Sequence, residues 1–253
     1  MKRKTLAVLQ SALLCIIMLA FPIASGVFAV VMELGTIETL FLQGGFMAAS
    51  LSIPAVMVLT GKCKIKEIGF DRIDRVSFKR LGCWLPFLLI FVPVAIRGFS
   101  VRSTGYFFGV LFLYSFVGVA EEVYFRGIIP FILKKEFSLL WVIILSSFLF
   151  GVGHVATAFT ASSGWEIALT VLNALLFGFM EIESAIVANN IFPGILIHFL
   201  FDFETKIIAM SGQELFVAEC IRGAIMTLLA IWLTVTIFKK KKYYTIDHKN
   251  LIT

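Results

Sequence analysis

Residues 116–127 read FVGVAEEVYFRG, which sets Glu121, Glu122 and Arg126 inside an apolar run. Two later stretches share the pattern: FGVGH, ending in His154, and HFLFD, from His198 to Asp202. Ionisable side chains within a bilayer are costly and by default mark function. Glu122 and Arg126 stand i,i+4 and meet on one helical face, so they read as a neutralising structural pair. Glu121 is turned about 100° from Glu122 and is left as the free carboxylate. His198 and Asp202 repeat the i,i+4 spacing, as do Phe150 and His154. A free carboxylate, two imidazoles and an aspartate on three apolar segments are the equipment of proton transfer.

These residues need helices to hold them. Of 253 residues, 60% are hydrophobic and only 15% charged, with a mean hydropathy of +0.98. Soluble domains carry about 25% charged residues. The expectation is an all-α, polytopic membrane bundle forming a single unit over 1–253. Apolar segments of spanning length run over Thr5–Val31, Thr39–Thr60, Leu81–Ile96, Thr104–Leu133, Ser138–Ala158, Glu166–Met180, Ile191–Met210 and Val217–Phe238, about eight transmembrane helices. Basic clusters at MKRK, Lys62–Arg80, Lys134–Lys135 and Lys239–Lys242 then all fall on one side. By the positive-inside rule both termini are cytoplasmic, and the plasma membrane is the expected location. The basic tail is 239–253. An N-terminal signal peptide is the rival reading of the first segment, but its apolar run is long for one.

The same pattern explains the net charge of +6 as topology and lipid attraction, not nucleic-acid binding. Lys62–Arg80 alternates basic and apolar residues and is expected along the membrane surface. The four cysteines show no CxxC spacing and read as unpaired thiols. His248, the third histidine, lies in the polar tail.

Depth along the spans adds a constraint. The hairpin between the fourth and fifth segments turns near Glu136–Phe137. Glu121 precedes that turn by about as many residues as His154 follows it, so the two sit level. Gly151 and Gly153 leave room for close backbone approach, and Pro130 or Gly127 can bend the fourth span. Other polar residues read as structural. Glu33, Glu38, Glu166 and Glu204 are boundary residues, and Glu181 and Glu183 fall in a solvated loop. Asn173 and Asn189 are interhelical or capping residues, and Asn190 caps a helix with Pro193 in its first turn. Tyr124 and Phe125 receive no role.

The three motifs, in this order and spacing, resemble EExxxR, FxxxH and HxxxN/D of the CPBP family, the CAAX proteases and bacteriocin-processing enzymes also called Abi. The resemblance covers about residues 104–204. It implies an eight-helix intramembrane endopeptidase acting on a membrane protein, a lipidated protein or a peptide. Glu121 matches the catalytic glutamate, Glu122 its neighbour, Arg126 the motif arginine, His154 and His198 the two histidines, and Asp202 the final position, with Phe150 as support. Glu121 would be the general base, His154 would help hold the water, and His198 would donate to the oxyanion. Asp202, as a carboxylate, only accepts hydrogen bonds and is expected on the other nitrogen of His198. A Zn²⁺ held by Glu121, His154 and His198 and a metal-free glutamate mechanism both stay open. A non-proteolytic immunity or binding protein of the same fold, and a proton-coupled transporter, are the competing classes. No internal repeat supports the transporter.

Overall fold

The computed structural model describes residues 2–71, 82–159 and 163–239. Among these the chain is helical, with two isolated bridges, Phe70 to Asn190 and Phe99 to Ile208, and no strand. The α-helices are α1 (Lys2–Val31), α2 (Thr36–Ser50), α3 (Ser52–Leu59), α4 (Val92–Ala95), α5 (Thr104–Glu122), α6 (Ile129–Leu133), α7 (Leu139–Gly153), α8 (Gly164–Ala188), α9 (Phe192–Ile207) and α10 (Gly212–Lys239). A π-helical turn, Val123–Ile128, joins α5 to α6. Short 3₁₀ runs cover Ile65–Ile68, Gly82–Ile90 and His154–Phe159.

The protein is an integral membrane helical bundle. Six helical stretches among the described residues are long and apolar enough to cross: Lys2–Val31, Thr36–Leu59, Thr104–Leu133, Leu139–Ala156, Gly164–Ala188 and Gly212–Lys239. The other two expected spans are shorter. Pro86 and Pro93 withhold backbone donors from the third, which becomes a 3₁₀ run followed by the four-residue α4. The seventh is the 16-residue α9. At 1.5 Å per residue α9 is about 24 Å long, against a hydrocarbon core of about 30 Å. The sixth span runs past Met180 to Ala188, where Asn189 ends it in the left-handed conformation.

Lipid-facing and inward stripes separate cleanly on α1. Leu6, Leu9, Leu13 and Ile16 are exposed, whereas Ala7, Ser11, Cys15 and Met18 are buried. Small residues face inward because helices in lipid associate by close packing rather than by a hydrophobic difference. Two glycines bring the site-bearing helices together. A Cβ on Gly118 of α5 would lie 3.0 Å from the Phe199 nitrogen and 3.1 Å from the Ile195 oxygen of α9. One on Gly151 of α7 would lie 3.0 Å from Leu175 Cβ and 3.1 Å from its Cα, on α8. Gly153 meets only Leu19 side-chain atoms, at 3.6 Å and beyond, so its expected close approach is not found.

The expected bend in the fourth span is the π turn. Pro130 has no N–H for the Arg126 carbonyl, and just before it Ile129 N–H reaches back to Tyr124. Ser146 donates to the Phe125 carbonyl freed there, and Tyr124 donates to Ser50 O at 2.9 Å. Both unassigned aromatics therefore anchor the turn that carries Arg126. The described part of the segment from Lys62 packs on the bundle, with Ile68 buried against Ile128 and Phe131. Residues 72–80 of that segment, Lys240–Lys242 and His248 lie outside the described residues.

Gly118→Leu is expected to separate α5 from α9 at a cost of about 1–3 kcal/mol. Gly45→Ala, where an added Cβ meets nothing within 4 Å, should be near neutral. Thermal unfolding of both variants in detergent checks the pair.

Candidate active site

The π turn and α5 deliver Glu121, Glu122 and Arg126 against α9, and α7 delivers Phe150, with His154 at its C-cap. Glu122 is the hub. Its Oε1 accepts from His198 Nδ1 at 2.7 Å and stands 3.1 Å from Arg126 Nη1. Arg126 lies over the Phe150 ring, 4.1 Å from the centroid. Phe150 also contacts the His154 and His198 rings, at 4.7 and 5.7 Å between centroids, and Phe177 closes on His198 at 5.0 Å. The aromatic at the head of the second motif thus sets both histidines and covers the guanidinium.

A carboxylate can only accept, so the 2.7 Å contact to Glu122 puts a proton on His198 Nδ1. Its Nε2 then faces Glu121 Oε2 at 3.5 Å and Asp202 Oδ2 at 3.7 Å. His154 Nδ1 lies 3.0 Å from the Phe150 carbonyl, which again only accepts, so Nε2 is the acceptor of the neutral ring. Exposure divides the carboxylates. The side chains of Glu122, Arg126 and His198 are 0%, 1% and 3% exposed, whereas Glu121 is 15% and Asp202 26% exposed. Glu121 is therefore the reachable carboxylate and Glu122 the sealed one. Glu121 Oε2, Glu122 Oε2 and both terminal nitrogens of Arg126 lack a hydrogen-bond partner among the described residues.

The structure brings Glu121, Glu122, Arg126, Phe150, His198 and Asp202 together, with His154 joined through Phe150. It corrects one partner. Asp202 does not take the second nitrogen of His198; Glu122 does, because α9 packs its His198 face onto α5 at Gly118. Asp202 instead shares the Nε2 side with Glu121.

Two acidic residues were misplaced by sequence reasoning. Glu181 and Glu183 are buried on α8, not solvated in a loop, because that helix runs eight residues beyond Met180. Glu204 stands in the last turn of α9, as a boundary residue does, but is buried there and bonds Arg222 Nη2 at 2.6 Å. Arg222 itself was missed. It is fully buried, and also bonds Glu219 and the Ile90 carbonyl, each at 2.9 Å. An arginine within an apolar span, with an acidic residue at i−3, was the available signal. Asn173 is interhelical as expected, donating to Glu219. Asn190 Oδ1 accepts from Phe192 N at 2.9 Å, at the head of the helix that carries Pro193.

A zinc site would need three ligand donors converging on one point. Among the described residues no three His, Cys, Asp or Glu side chains are arranged as metal ligands. His198 Nδ1 is committed to Glu122 and His154 Nδ1 faces a backbone carbonyl, which leaves each ring only its Nε2 for a metal.

Residues 102–203 match the family model described as type II CAAX prenyl endopeptidase Rce1-like. This bears out the resemblance carried by the three motifs, and the matched stretch contains every residue from Glu121 to Asp202. No curated protein and no solved structure matches the chain.

Arg126→Met would leave Glu122 buried beside His198 without its guanidinium, and is expected to destabilise by about 3–5 kcal/mol. The double variant Arg126→Met, Glu122→Gln removes both charges and should recover much of that loss. A double-mutant cycle of melting temperatures reads the coupling.

Proposed function

We propose that the protein is an intramembrane endopeptidase that hydrolyses a peptide bond of a membrane-associated or lipidated substrate by activated water. The observation that carries this reading is the division of labour around His198. Glu122, sealed and paired, fixes one nitrogen, while Glu121 and Asp202 hold the reachable side of the other.

In this mechanism Glu121 takes a proton from a water as the water oxygen attacks the scissile carbonyl carbon. His154 Nε2 accepts the water's second hydrogen and orients it. The carbonyl π pair moves onto oxygen, and that oxyanion accepts Nε2–H of His198, which acts as an imidazolium, protonated at Nε2 as well as at the Nδ1 bonded to Glu122. The tetrahedral intermediate collapses as the C–N bond breaks, and Glu121 returns its proton to the departing nitrogen. Base catalysis of this kind contributes about 10²–10⁴-fold. Pre-set donors at the oxyanion add to it because they need not reorganise during the reaction. Asp202 balances charge on His198 and lines the substrate side. Each of these steps is written on the chain's own residues. Both termini are placed in the cytoplasm, with the basic segments at the cytoplasmic leaflet.

Comparative N-terminal peptide mapping of membranes expressing wild type or Glu121→Gln tests the reading. New N-termini near membrane segments, present only with wild type, are expected. Their absence with both proteins folded would overturn the protease reading in favour of binding or immunity. Proton-coupled uptake in proteoliposomes, lost in the same variant, would favour transport. Purified enzyme should keep its rate after exhaustive chelation. Loss on chelation with recovery on added Zn²⁺ would replace the glutamate mechanism with a zinc one.

A further inference from the structure

Glu181 is the buried acid that this mechanism does not use. Its side chain is sealed on α8, and neither oxygen has a hydrogen-bond partner among the described residues. Glu122 Oε2, the oxygen not bonded to His198, is equally sealed and unpartnered. Gly194, on the first turn of α9, lies between the two. A Cβ there would sit 2.7 Å from Glu181 Oε2, 3.1 Å from Glu122 Oε2 and 3.0 Å from the Trp84 ring. Two carboxyl oxygens thus converge on one small gap that only a glycine leaves open.

Two ionised carboxylates cannot share such a site without a cation between them. Arg126 already faces Glu122 on its other oxygen. Glu181 has no ion pair among the described residues, so it is the member of the couple that keeps a proton. A protonated carboxyl is a donor, and Glu122 Oε2 needs one.

We propose that Glu181 is a positioning residue, a neutral acid that donates its hydrogen bond to Glu122 Oε2 across the gap at Gly194, through one water or a small side-chain rotation. Glu122 is then held from three sides: by Arg126, by His198 Nδ1 and by Glu181. This fixes the plane of the Glu122 carboxylate, and with it the direction of His198 Nε2. The catalytic consequence rests on the hydrolytic reading above; the proton and the hydrogen bond do not.

Infrared difference spectra between wild type and Glu181→Gln test the proton directly. Loss of a carboxylic-acid C=O stretch is expected, and loss of an ionised-carboxylate band instead would overturn the proposal. The ¹⁵N resonances of the His198 imidazole should shift in Glu181→Leu and return toward wild type in Glu181→Gln, whose amide still donates. Unmoved resonances in Glu181→Leu would also overturn it. On a substrate found by peptide mapping, Glu181→Leu should lower kcat about 10–100-fold, the range of outer-shell hydrogen-bond partners, with KM nearly constant. Glu181→Gln should restore most of that loss, and a wild-type kcat in Glu181→Leu would remove the positioning role. If Glu181→Leu does not fold, Gly194→Ala fills the same gap. It should move the His198 resonances and lower kcat, and no change in either would overturn the proposal. Should wild type cleave nothing, the hydrolytic reading falls while both spectroscopic tests still decide this one.

Discussion

The site depends on one hydrogen bond, from His198 Nδ1 to Glu122 Oε1. It joins α5 to α9 inside a medium where an unpaired charge or an unsatisfied donor is expensive. With Nδ1 committed, the imidazole can offer only Nε2 to a substrate, and the ring plane is set by a carboxylate that is itself held. Arg126 supplies the opposing charge from the next helical turn, and its guanidinium lies over the Phe150 ring. The adjacent glutamates therefore do different work despite sharing a sequence position in all but one residue. Rotation along the helix turns Glu122 into the sealed face and Glu121 toward the reachable one.

Much of this was legible in the sequence. The i,i+4 rule separates Glu122 from Glu121, and the structure keeps that separation. Hydropathy found the membrane bundle, and the three motifs found the residues that meet. What failed has identifiable causes. Hydropathy windows cut the sixth span at Met180 because two glutamates follow it, yet Glu181 and Glu183 stay helical and buried, the latter accepting from Thr234 of α10. Arg222 is one cation in a strongly apolar segment and does not alter its average. Its partners, Glu204 and the Ile90 carbonyl, come from distant segments that no local spacing connects. The partner of His198 was assigned to Asp202 for the same reason. Spacing within a helix reveals i,i+4 neighbours but not which side of the ring an adjacent helix occupies.

The shortness of α9 gives these contacts a common purpose. A helix of about 24 Å cannot be held in place by matching the bilayer, since about 30 Å of hydrocarbon must be crossed. Nor does lipid push it against its neighbours as water would. Its position must come from close packing and polar bonds, and both ends show them. At the start, Ile191 N–H bonds Gly69 O and Asn190 reaches Asp71 O, each at 2.9 Å. In the middle, Gly118 lets the α5 side pack on the α9 backbone. At the end, Glu204 is gripped by Arg222, and Ile207 O accepts from Ser100 N at 2.6 Å. His198 and Asp202 lie between these anchors. The Arg222–Glu204–Glu219 network, whose guanidinium lies 4.2 Å from the centroid of the Phe201 ring within the third motif, therefore fixes the height of His198 relative to Glu121 and Glu122. Neutral hydrogen bonds at one end of this short helix and a buried ion pair at the other are what allow a hydrolytic group to be held within the bilayer to the precision that a hydrogen bond requires.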